Sequence, residues 1–89
     1  MLTLNHPAVE AIRSLTSRPD LPETSGLRIV HGDTAGGLEL FITPRPGDGD
    51  HVIETDGVRV FLHEEVATML TGRSLEAEIA DDDVIFRIV

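Results

Sequence analysis

Val52-Ile53-Glu54-Thr55, Asp56-Gly57, Val58-Arg59-Val60-Phe61-Leu62 is the stretch that decides the fold class. Two runs rich in β-branched residues are joined by Asp-Gly, a pair that fits the positive φ values of a type I′ hairpin turn. That turn fixes the register. Glu54 then faces Arg59 across the strands, an opposite-charge pair contributing about 0.2 to 1 kcal/mol, while His51 faces Leu62 and Asp50 faces His63.

Toward higher numbers, Glu64 to Leu70 reads as a short helix. Its acidic first turn suits the helix dipole, and Gly72 is placed to end it. Leu75 to Ile79 and Val84 to Val89 follow as two strands around the acidic turn Asp81-Asp82-Asp83. Toward lower numbers, Thr43 to Asp50 is a surface loop of Pro, Gly and Asp. Before it, Leu38-Glu39-Leu40-Phe41-Ile42 alternates as a strand with Leu38, Leu40 and Ile42 on one face. His31 to Gly37 is a flexible turn, and Leu27-Arg28-Ile29-Val30 is a strand expected to pair antiparallel with Leu38 to Ile42. Ser17 to Ser25 is a polar loop. Ahead of it, Asn5 caps a helix with Ala8, Ala11, Ile12 and Leu15 at i, i+3, i+4, i+7, ending near Thr16 to Arg18 before Pro19. One helix, several short strands, a second short helix and two further strands make an α+β domain spanning residues 1–89. A chain of this length buries roughly 60 to 65% of its unfolded surface, enough for one modest core.

Composition narrows the function classes. Sixteen acidic against seven basic residues give a formal charge of -9, which repels phosphate backbones and anionic lipid; no nucleic acid and no membrane are expected as partners. The three aromatics are all Phe, so there is no stacking platform for bases. No run approaches the ~18 apolar residues of a membrane span, and Met1-Leu2-Thr3-Leu4-Asn5 lacks a secretory n-region, which makes the cytoplasm the expected compartment. There are no cysteines. Disulfides, thiolate zinc sites, cysteine nucleophiles and thiolate-ligated iron-sulfur clusters are thereby excluded from these residues.

The element order, with particular residues in it, resembles the HesB/IscA-like domain of A-type iron-sulfur cluster biosynthesis proteins. The residues are Leu2-Thr3-Leu4 with the Ala-containing helix after it, Gly26-Leu27-Arg28-Ile29, Leu38-Glu39-Leu40, Gly47-Asp48 followed by Val52 and Glu54, Asp56-Gly57-Val58-Arg59-Val60, and Leu70-Thr71-Gly72-Arg73-Ser74-Leu75. The resemblance covers nearly the whole chain and implies a small mixed β-sheet pseudo-barrel or sandwich with one N-terminal and one short helix. It also implies dimerisation, for which the edges of a small sheet offer a surface. Family members with cluster or iron activity carry a cysteine in the Gly-rich turn and two more in a Cys-Gly-Cys tail. Here the turn from His31 to Gly37 is shorter and has no cysteine, and the tail would begin about where Val89 stands. No ligand role carries over, because cluster irons require soft anionic sulfur donors.

Four residues remain as candidate metal ligands. His31 and Asp33, in the turn, could offer a nitrogen and an oxygen; a turn-exposed His beside a solvating Asp is the plainer account. His51 and His63 meet at the hairpin ends, near Asp48 and Glu64, without the i, i+4 His spacing of a helical site; solvated strand ends explain them as well. His63-Glu64-Glu65 lacks the second His of a zinc-protease motif. Asp81-Asp82-Asp83 lacks the spaced ligands of an EF-hand loop, and the Gly32 to Gly37 turn has no phosphate-binding spacing. No serine sits in a nucleophile context. The sequence therefore points to a non-enzymatic, cofactor-free protein that works through a protein partner, possible partners including iron-sulfur assembly components or a second copy. The alternative is a small metal- or ligand-binding protein using His and carboxylate groups.

Overall fold

A computed structural model describes residues 1–32 and 37–89. The elements run β1 (Thr3–Leu4), α1 (His6–Thr16), β2 (Gly26–His31), β3 (Leu38–Thr43), β4 (His51–Thr55), β5 (Val58–Leu62), α2 (Glu64–Met69), β6 (Ser74–Ala80) and β7 (Asp83–Ile88). They form a four-stranded sheet of order β3-β2-β5-β4 and a three-stranded sheet of order β1-β6-β7.

The Asp-Gly hairpin takes the register its turn dictates. Glu54 pairs with Arg59 and His51 with Leu62, and Asp56 and Gly57 have φ of 49° and 85°, the two positive values a type I′ turn needs. Strands β2 and β3 are antiparallel, with Leu27 opposite Ile42 and His31 opposite Leu38. Two pairings have no hairpin to announce them: β2 runs parallel to β5, Leu27 opposite Val60 and Ile29 opposite Leu62, and β1 runs parallel to β6.

Helix α1 begins at Asn5, whose Oδ1 accepts from the Ala8 N–H at 2.9 Å. It buries Ala8, Val9, Ala11 and Ile12, while Leu15 is only half-buried. Eleven residues are too few for an isolated helix to persist in water. The helix is held by packing against β6, β5 and β2, each fully buried Val or Ile contributing about 1.5 to 3 kcal/mol. The core joins Leu2, Val9 and Ile12 to Leu27 and Ile29 of β2, Val58, Val60 and Leu62 of β5, Val66 and Leu70 around α2, and Leu75 of β6.

On the other face of the four-stranded sheet lie Arg28 and Phe61, which are register partners. Phe61 is 1% exposed. Its ring lies so close over Gly26 that an added Cβ would meet ring carbons at 2.9 Å and the Arg59 carbonyl at 2.6 Å. Glycine at 26 is thus a packing requirement, and the segment from Thr43 to Asp50 bridges this face by contacts described next.

Candidate functional site

Strand direction gathers the histidines. His31 ends β2, His63 follows β5, and His51 begins β4, antiparallel to β5. All three therefore stand at one end of the four-stranded sheet. Each is solvent-exposed. Asp33, the fourth candidate, lies outside the described residues. Among those described, no group of three or more His, Cys, Asp or Glu side chains is placed to hold a metal ion together.

A carboxylate close to His63 is already engaged. Asp50 immediately precedes β4, and its side chain is 0% exposed. One oxygen accepts from Arg28 Nε at 2.7 Å and from the Gly47 N–H at 2.8 Å, and the other from Arg28 Nη2 at 3.1 Å. The Arg28 hydrogen bond holds the Asp50 carboxyl below the usual carboxylate range against the opposing effect of burial; the Gly47 N–H and the charges of Arg28 and His63 add to the lowering. The same hydrogen bond raises the Arg28 guanidinium. A carboxylate with both oxygens committed to a bidentate arginine is a fastener, not a spare ligand.

This pair is the feature the sequence reading missed. Thr43, expected in the loop, instead closes β3 opposite Gly26; the rest of the segment, to Asp50, does run outside the sheet, but the Asp50 side chain is buried. Two signals were available: an arginine inside the otherwise apolar run Leu27-Arg28-Ile29-Val30, which needs a partner if its strand is central, and the Gly47-Asp48-Gly49-Asp50 turn. Gly47 sits so near the guanidinium that an added Cβ would fall 2.7 Å from Nη2.

His51 also lines a cleft of about 350 Å³ between β4, the beginning of the chain and α2. Met1, Leu2, Val52, Leu62 and Ala67 give it apolar walls, with Thr68 and Thr71 on the helix side. The two threonine hydroxyls donate back to the carbonyls of Glu64 and Ala67. The cleft is therefore mainly apolar, at the small end of the range for small-molecule sites.

The remaining histidine, His6, and the acidic motifs weighed in the sequence have structural accounts. His6 is exposed in the first turn of α1, 4.0 Å from Glu10. Glu64 and Glu65 occupy the first turn of α2, where His63 is the N-cap residue without a side-chain cap bond. Asp81 has φ 55° in the turn between β6 and β7, a conformation Asp tolerates better than most residues. Among the described residues no helix is long and apolar enough to cross a membrane.

No protein-family model and no curated protein matches the sequence. Solved structures do. The chain is similar to Escherichia coli SufA, a protein involved in biosynthesis of iron-sulfur clusters, with a TM-score of 0.79 and 26% identity over 99% of this chain and 83% of that one. It is similar to a protein from Aquifex aeolicus, with a TM-score of 0.76 and 26% identity over 99% and 89% of the two chains. IscA with its [2Fe-2S] cluster shares the fold, with a TM-score of 0.70 and 15% identity over 100% and 84%. The mixed sheets and two helices expected from the resemblance are the architecture these structures share. A cluster held by thiolates does not fit the donor set here, since the 89 residues include no cysteine.

Proposed function

Because the chain has the HesB/IscA-like fold of SufA and IscA, and fits a divergent, cysteine-free member, we propose that it is an iron-sulfur cluster biosynthesis-like protein that has lost the cluster ligands and acts as a non-enzymatic adaptor through protein contacts. One observation carries this reading: similarity to SufA extends over 99% of the chain, yet no cysteine stands anywhere in it. The scaffold is kept and the chemistry of sulfur ligation is not. Its partners in this reading are components of iron-sulfur assembly, in the cytoplasm, among them a cysteine-bearing relative or a second copy. It forms a single domain over residues 1–89.

Anaerobic reconstitution with iron and sulfide tests this, followed by visible absorption and metal analysis of the desalted protein beside a cysteine-bearing relative. The expected result is a colourless, metal-free protein while the control takes up iron. Iron retained at a fixed ratio would overturn the reading, and His31→Ala, His51→Ala and His63→Ala, made one at a time, would locate the donors.

The cleft favours a second reading, a small-ligand protein in which His51 supplies a polar group at the rim of an apolar pocket. Its mark would be saturable binding of a small apolar probe that His51→Ala and Thr68→Trp both weaken.

A further inference from the structure

Strand β7 forms one border of the three-stranded sheet, with β6 on its only paired side among the described residues. Ser74 and Val89 exchange both backbone N–H···O bonds, at 3.0 and 2.9 Å. Antiparallel alternation then makes Glu76 with Arg87, Glu78 with Ile85, and Ala80 with Asp83 the hydrogen-bonded pairs of the ladder. Asp83, Ile85 and Arg87 consequently turn their backbone groups toward β6. Val84, Phe86 and Ile88 turn theirs outward, along an open edge of the kind that recruits another strand.

The side chains of this edge are self-complementary. If β7 meets β7 of a second copy about a two-fold axis, Val84, Phe86 and Ile88 are the residues able to bond, and only registers that oppose outward-turned residues are allowed. When Val84 opposes Phe86 of the second copy, Ile85 falls on the axis against its own counterpart. Asp83 then faces Arg87 of the second copy, and Arg87 faces its Asp83. Both contacts fall at non-hydrogen-bonded positions, where facing Cα atoms come within about 4.5 Å and side chains are closest. A shift by one pleat in either direction sets a charge against Ile85 instead. The charge pattern therefore selects one register.

Exposure agrees with this arrangement. Ile85 is 50% exposed and Ile79, on the opposite face of the same hairpin, is 64% exposed. The Arg87 side chain is 56% exposed and already paired with Glu78 of β6, so Arg87 can bridge Glu78 and Asp83 of the second copy. Each chain carries a formal charge of -9, which opposes association at long range. That repulsion is screened beyond about 8 Å at physiological salt, whereas the two Asp-Arg contacts act at short range.

We propose that β7 pairs antiparallel with β7 of a second copy of this chain, Val84 against Phe86 and Asp83 against Arg87, so that two three-stranded sheets become one continuous sheet. This surface rests on the adaptor reading only where that reading names a second copy as partner, and a failure of the β7 pairing leaves the reading's claim about cluster ligands untouched.

Sedimentation equilibrium over a concentration series tests it with charge-swap variants. The wild-type protein is expected to dimerise. Asp83→Arg places arginine against arginine and Arg87→Asp places aspartate against aspartate, so each variant alone should associate at least about tenfold more weakly. An equimolar mixture of the two restores both opposite-charge contacts and should recover the dimer. Val84→Pro removes an outward-turned N–H that takes no part in the β6 ladder, so it should abolish dimerisation with the far-ultraviolet circular dichroism unchanged. A monomeric wild-type protein would overturn the proposal. So would a folded Val84→Pro variant that dimerises like wild type, or a mixture of folded charge variants no tighter than either alone.

Discussion

Replacing Asp50 with Ala removes a carboxylate that is wholly buried while leaving its partner in place. Arg28, whose side chain is 25% exposed, would lose both bonds to Asp50, and the Gly47 N–H its acceptor. Breaking a fully buried ion pair from one side costs about 3 to 5 kcal/mol. Because the guanidinium reaches some water, about 2 to 3 kcal/mol is expected here. For a domain of this size each kcal/mol is about 4 to 8 °C in Tm, so calorimetry should show a fall of roughly 10 to 20 °C. Arg28→Met in the Asp50→Ala background removes the stranded charge and should recover part of the loss. The pH dependence has a definite sign. The Asp50 carboxyl is lowered in the folded state, so across the window from the ordinary value near 3.9 down to the folded one the unfolded chain binds more protons. The contribution is complete above that window and lost as pH falls through the folded value. Asp50→Asn should therefore flatten the wild-type loss of Tm below about pH 4. An Asp50→Ala protein within about 4 °C of wild type, or a double variant less stable than Asp50→Ala, would refute this reasoning.

Two further substitutions probe the elements around the site. Gly26→Ala drives a methyl group into the Arg59 carbonyl and the Phe61 ring, and urea denaturation should show a loss of about 1 to 3 kcal/mol, with Phe61→Leu in the same chain relieving part of it. Asn5→Ala removes the acceptor of the Ala8 N–H and should cost about 1 kcal/mol, measured as a shift in the urea midpoint at unchanged slope.

Local rules made much of the fold legible. The Asp56-Gly57 turn set the hairpin register, Asn5 and Pro19 bracketed the first helix, and alternation marked Leu38, Leu40 and Ile42. The parallel pairings of β2 with β5 and β1 with β6 were not legible, because they rest on packing between distant segments and no turn encodes them. Val9 joins the core beside the Ala8, Ala11 and Ile12 stripe because helix α1 meets both β6 and the four-stranded sheet, which widens its buried face. At the site, the sequence placed His51 and His63 together but could not reveal that Asp50 was committed to Arg28, a contact across 22 positions of chain. The missing sulfur donors were legible at once, since composition alone decides that chemistry.

The pairing of β1 with β6 joins Thr3 to Arg73 and Ser74, some 70 positions apart. During synthesis the hairpins β2-β3 and β4-β5 have all their residues available early, but β1 has no strand to pair with until β6 has left the ribosome. Closing so long a loop is the slow kind of step in folding. Until then Leu2, destined to be 1% exposed, lacks the strand pairing that seats it, and a chaperone or protease could reach the β1 segment throughout that interval.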